Sequence, residues 1–120
     1  MQSNSNLLGL HILLTLATEN TFKLTSYEDF ALFTNDLLVR YHLVKVGEAS
    51  HIFDNGSFTS SICLMESHLC IHTWPEIKQL TADIYLCNYS QDNTQKVRDI
   101  AVALNEYFEA SIVKQTEVAR

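Results

Sequence analysis

The stretch Met65-Glu66-Ser67-His68-Leu69-Cys70-Ile71-His72-Thr73-Trp74-Pro75-Glu76 holds a serine, two histidines, a cysteine, a tryptophan and two glutamates within twelve residues. Its second half reads as a strand over His68 to Trp74, because polar and apolar residues alternate. Alternation puts His68, Cys70 and His72 on one face and Leu69 and Ile71 on the other. Pro75 ends that strand, since it has no N–H to give to a ladder. Phe58 to Met65 reads as the strand before it. Glu66-Ser67 therefore sits at a tight reversal between two antiparallel strands.

Outward from this hairpin the periodicities are equally readable. Asp54-Asn55-Gly56 is a turn signal, and Val44 to Phe53 before it reads as a strand. Thr25-Ser26 followed by Glu28 and Asp29 marks a helix start, acidic residues suiting the positive end of the helix dipole. Phe30, Phe33, Leu37, Leu38 and Tyr41 then recur at helical spacing. Leu7 to Ala17 reads as a strand interrupted by His11, behind a polar stretch of six residues. Beyond the hairpin, Thr81 to Cys87 is a strand with Ala82, Ile84 and Leu86 on one face. Asp92-Asn93-Thr94 opens a helix whose apolar stripe is Val97, Ile100, Ala101, Leu104 and Phe108. Ser111 to Val118 adds a last short edge strand. The pattern predicts an α+β fold: a two-layer sandwich, a mostly antiparallel sheet with two helices packed on one face.

A chain of 120 residues, 47% apolar and 18% charged, fits one domain spanning 1–120 with a single core. A net charge of −6 offers no basic patch for nucleic acid. The longest apolar run is too short to span a bilayer and lacks the flanks of a signal peptide. Three cysteines, Cys63, Cys70 and Cys87, have no disulfide-scaffold spacing, which agrees with a reducing compartment. A cytoplasmic location is the expectation.

The decisive stretch carries the parts for cutting its own backbone. In that chemistry a serine hydroxyl attacks the carbonyl of the residue before it, turning a peptide into an ester. Removal of the serine Cα proton expels the upstream chain as a carboxylate, and the dehydroalanine left behind hydrolyses to a pyruvoyl group. The attack needs a strained turn and donors for the oxyanion. The elimination needs a base, for which histidine is suited near neutral pH. Ser67 lies in the expected turn with His68 and His72 following it. The residues alone do not choose between these two histidines.

Glu66-Ser67-His68 followed by Ile71-His72-Thr73-Trp74-Pro75-Glu76 resembles the self-cleavage segment of the bacterial-type S-adenosylmethionine decarboxylase proenzymes. Gly9-Leu10-His11 and His51-Ile52-Phe53 resemble that family's Gly-Arg-His and His-Arg-Phe, each with the arginine replaced. The resemblance covers roughly residues 9–110. It implies cleavage between Glu66 and Ser67, giving chains 1–66 and 67–120, with Ser67 becoming a covalent pyruvoyl cofactor that forms a Schiff base with the substrate amine. It implies His72 as the base of processing, Thr59 as a hydroxyl assisting it where the family commonly has serine, and Cys87 as the proton donor in decarboxylation. It implies Phe53 against the adenine ring, Glu76 as a substrate contact, and a homodimer with each site near the subunit interface. The implied activity is decarboxylation of S-adenosylmethionine, supplying the aminopropyl donor for spermidine biosynthesis, without metal or pyridoxal phosphate.

Other readings stand beside this one. His68, Cys70 and His72 share a face and invite a zinc site with Cys63, although consecutive same-face strand residues rarely converge on a tetrahedral ion. The same scaffold would serve a pyruvoyl-dependent arginine or ornithine decarboxylase. An uncleaved, non-enzymatic relative that binds a nucleoside or a protein is the third possibility.

Overall fold

The computed structural model describes residues 8–89 and 91–120. The polar first six residues and Leu7, where the first strand was expected to start, lie outside them. The elements follow in the order β1 (Gly9–Ala17), α1 (Thr21–Leu24), α2 (Tyr27–Arg40), β2 (Lys45–Ile52), β3 (Phe58–Leu64) and β4 (His68–Trp74). After a short 3-10 turn at Pro75–Ile77 come β5 (Gln79–Cys87), α3 (Thr94–Tyr107) and β6 (Ser111–Ala119). The strands form one six-stranded sheet in the order β2-β3-β4-β5-β1-β6, and each paired ladder is antiparallel.

One face of the sheet is apolar and covered. Leu10, Ile12, Leu14 and Leu16 of β1, Leu69 and Ile71 of β4, and Leu80, Ala82, Ile84 and Leu86 of β5 are all buried. Upon them α3 lays Val97, Ile100, Ala101 and Leu104, and α2 lays Phe30, Leu37 and Leu38. Phe30 meets Phe58 and Phe108 at centroid distances of 5.3 and 6.1 Å, so the two long helices and β3 close on one aromatic cluster. This is the expected two-layer α+β sandwich. No element among the described residues covers the opposite face. It carries His11 and Leu13 of β1, Thr59 of β3, His68, Cys70 and His72 of β4, and Asp83, Tyr85 and Cys87 of β5, as alternation requires.

Three elements differ from the sequence expectation. The four-residue α1 was not foreseen; Asn20 caps it by accepting from the Lys23 N–H, but one turn is too short to show periodicity. The fifth strand begins at Gln79 rather than Thr81, because Gln79 and Leu80 pair with Ala17 and Leu16 and with Trp74 and Thr73. The last strand is not short: it runs nine residues along β1, with a register shift at Thr15/Leu16.

The edge strand β2 is pinned by a polar cluster. The Glu48 carboxylate accepts from Tyr27, from Ser50 at 2.6 Å, from Ser60 at 3.3 Å and from Lys45 at 3.1 Å. Burial works to raise this carboxyl, but the donors outweigh it and hold it down at about 2.

Candidate active site

Ser67 follows the bend at residues 65 and 66 that joins β3 to β4. The Leu64 N–H donates to the Ser67 carbonyl at 2.9 Å, which makes the reversal tight. The Ser67 hydroxyl is half-buried, and Oγ accepts the backbone N–H of Cys87 at 2.9 Å. Cys87 is the last residue of β5, where β4 has run out of ladder partners. A cavity of about 310 Å³ opens beside the pair, lined by Leu43, Glu66, Asn93 and Lys96 among others. The backbone N–H of Cys87 aimed at the hydroxyl oxygen fixes the position of that oxygen in the turn.

A second group gathers at the other end of β4. Thr59 pairs with His72 across β3 and β4, and Thr59 Oγ1 lies 2.8 Å from His72 Nδ1. The Trp74 ring stands 5.8 Å from the His72 ring. Together with Phe53, Asp54 and Glu76 they line a cavity of about 650 Å³. Phe53 is 49% exposed and Trp74 37%, which leaves two aromatic surfaces for a planar ring. The pocket exists because Gly56, at φ +89, lets the turn close with Gly56 N–H on the Phe53 carbonyl at 2.9 Å.

These two groups do not meet within one chain. Five residues of extended strand separate Ser67 from His72, about 16 Å at ~3.3 Å per residue. Beside Ser67 the structure places His68 instead. Its ring stands 5.6 Å from that of His11 and 5.7 Å from that of Tyr85 on the uncovered face. His11 is lowered by burial, which with His68 and Arg120 outweighs the pull of Asp83. Among the described residues no cluster of three or more His, Cys, Asp or Glu side chains has the geometry to hold a metal ion. Cys70 instead has its Sγ 3.3 Å from the Ser61 hydroxyl.

The sequence model of S-adenosylmethionine decarboxylase matches residues 10–120. The chain belongs to the S-adenosylmethionine decarboxylase family. It is 35% identical over 80 residues to the S-adenosylmethionine decarboxylase proenzymes of a Hydrogenobaculum species and of Aquifex aeolicus. That stretch is 67% of this chain but only 60% and 59% of those relatives, so the match spans about three fifths of their length. The proenzyme of Picrophilus torridus is 29% identical over 94 residues, 78% of this chain and 72% of the relative. The crystal structure of the adenosylmethionine decarboxylase from Aquifex aeolicus superposes with a TM-score of 0.77 at 23% identity. It covers 97% of this chain and 91% of the other, and the likeness is one of fold.

Within the family pattern, the structure locates the two replaced arginines. Leu10 is buried on the helix side while His11 faces the other way, so the substitution at residue 10 falls in the core. Ile52 ends the exposed edge strand β2. Two residues that line the cavities carry no functional signal of their own in the sequence. Trp74 belongs to the motif, and its alternation with His72 on β4 puts both on one face. Asn93 signals only a helix start; its side chain turns back six residues to the Cys87 carbonyl, a bond that no periodicity records.

Proposed function

We propose that the protein is a pyruvoyl-dependent S-adenosylmethionine decarboxylase that makes its own cofactor from Ser67. The observation that carries this reading is the Ser67 hydroxyl held at a tight β3–β4 reversal by the Cys87 N–H at 2.9 Å. In the processing step Ser67 Oγ bonds to the Glu66 carbonyl carbon as the Glu66–Ser67 C–N bond breaks. A base then takes the Ser67 Cα proton, the Cβ–Oγ bond breaks, and Glu66 leaves as a carboxylate. Water replaces the nitrogen of the resulting dehydroalanine, releasing ammonia. The turn and the half-buried hydroxyl fit the precursor of such a group. Once formed, it supplies a carbonyl that takes a substrate amine and draws off the electrons released with carbon dioxide.

The remaining roles fall to side chains already described. Cys87, beside Ser67, returns a proton to the substrate carbon. Phe53 and Trp74 offer faces to adenine, and Glu76 an anion to a cationic or polar group. Thr59 orients His72 through Nδ1, leaving Nε2 as the atom that takes up a proton. Because His72 lies about 16 Å from its own Ser67, its partner is the Ser67 of a second copy.

That copy fits the uncovered sheet face, which exposes Leu13 (38%) and Val118 (40%). With a two-fold axis running between two such faces and across the strands, the Ser67 end of one protomer meets the His72 end of the other. A homodimer of cleaved chains, with each site at the interface, follows. No helix among the described residues is long and apolar enough to cross a membrane, and three free cysteines agree with a cytoplasmic setting.

The test is intact mass under denaturing, reducing conditions. Fragments 1–66 and 67–120, the second with a blocked end, are expected, together with carbon dioxide release from carboxyl-labelled S-adenosylmethionine. A Ser67→Ala protein that still decarboxylated at the normal rate would sink the proposal.

A further inference from the structure

The hold on Cys87 does not end at Ser67. One more hydrogen-bonded pair of the β4–β5 register would set Cys87 opposite Glu66. The chain bends at residues 65 and 66 instead, so the N–H and C=O that Cys87 turns toward β4 lose their ladder partners. Side chains replace them. The N–H goes to Ser67 Oγ, and the C=O accepts from Asn93 Nδ2 at 2.8 Å. The N–H of Asn93 in turn donates to Asn88 Oδ1 at 2.8 Å, which ties the start of α3 to the end of β5. Asn93 is the N-cap residue of α3 yet makes no side-chain capping bond. Its amide nitrogen serves Cys87 and its Oδ1 accepts from Gln91 Nε2 at 3.2 Å, so neither caps the helix.

We propose that Asn93 is a positioning residue for the Ser67–Cys87 pair. By holding the Cys87 carbonyl it fixes the peptide that ends β5, and so fixes both the thiol and the N–H aimed at Ser67. Without that donor the carbonyl turns to water, the end of β5 opens locally, and both groups leave register with the turn. This assignment rests on the reading of Ser67 and Cys87 given above, and its consequence for Cys87 is measurable without it.

Two substitutions separate the bond from the helix start. Asn93→Asp keeps the size and the capping preference but has no donor when ionised, and Asn93→Leu removes both. Two readouts are taken on the purified full chain: the rate of self-cleavage by intact mass, and the rate at which iodoacetamide alkylates Cys87 relative to Cys63 in the same sample. Cleavage is expected to slow by about tenfold or more in both variants, the order of loss that small misplacements of reacting groups produce. Cys87 alkylation is expected to rise roughly threefold or more against Cys63 as the strand end opens. Thr34→Val is the control for stability alone. It removes a buried hydroxyl bond to the Phe30 carbonyl on α2 and should lower the unfolding midpoint without moving either readout. An unchanged alkylation ratio, or wild-type cleavage in Asn93→Asp, overturns the assignment. If the wild-type chain stays uncut, the self-cleavage reading fails, while the alkylation ratio still decides whether Asn93 holds Cys87.

Discussion

Thr59 Oγ1 and His72 Nδ1 lie 2.8 Å apart across the β3–β4 ladder. The bond fixes the imidazole plane and leaves Nε2 as the free ring nitrogen. Thr59→Val removes the bond but keeps the shape. Self-cleavage, followed by intact mass, should slow by about tenfold or more, while Thr59→Ser should retain most of it; general-base catalysis is worth roughly a hundredfold or more. Equal rates for Val and Ser would show that the hydroxyl has no part in the step.

The separation of His72 from Ser67 along β4 makes the pairing of protomers testable by complementation. Ser67→Ala and His72→Ala chains should each remain uncut when made alone. Made together they form mixed dimers in which an intact Ser67 faces an intact His72, and the His72→Ala chain should then yield fragments. If only the two full-length chains are found after mixing, the two residues do not act across an interface.

Gly9 pairs with Cys87 on β5, and a Cβ there would lie 2.1 Å from the Leu86 carbonyl oxygen and 3.0 Å from the Tyr85 ring. Neither neighbour is a loose side-chain end, so β1 must move away from β5. Gly9→Ala should destabilise the protein by about 1–3 kcal/mol, as overpacking does. It should also slow cleavage, because the strand end that carries Cys87 shifts with β1. Urea unfolding compared with the wild type measures the first effect, and an unchanged midpoint would contradict it.

Glu48 gives a pH-dependent stability with a definite sign. Its folded carboxyl is held at about 2 against an ordinary 4.5, so the folded state favours the ionised form. The stabilisation is complete above about pH 5, begins to fall as pH drops through 4.5, and is gone once pH has passed below the folded value. Glu48→Gln removes the charge-assisted bonds and should cost about 1 kcal/mol near neutral pH, because solvent screens this exposed edge. The gap between wild type and variant in urea unfolding should be flat above about pH 5 and narrow steadily from there to pH 3. A gap that stayed constant over that range would mean that Glu48 does not titrate as its donors dictate.

The hairpin was legible because period-two alternation over His68 to Trp74 and a proline stop leave little choice of register or face. The helices were equally plain: Phe30, Leu37 and Leu38 on α2 and Val97, Ile100 and Leu104 on α3 recur at helical spacing and are buried. What escaped reading depends on partners that no periodicity records. Gln79 and Leu80 join β5 only because Ala17 and Leu16 lie beside them, and Asn93 is drawn from a helix cap to the Cys87 carbonyl. The distance between Ser67 and His72 followed from strand geometry all along. What the spacing does not record is that no element among the described residues covers the sheet face that carries His72.

The strand order interleaves the two halves of the chain. Residues 1–66 contribute β1, β2 and β3, residues 67–120 contribute β4, β5 and β6, and β1 is threaded between β5 and β6. A chain broken at the β3–β4 turn would thus remain one object, its pieces joined along β3–β4, β5–β1 and β1–β6. Its unfolding, however, would release two molecules where one had been. Stability then becomes more strongly a matter of mass action: dilution would lower the melting temperature of the matured protein more steeply than that of the precursor.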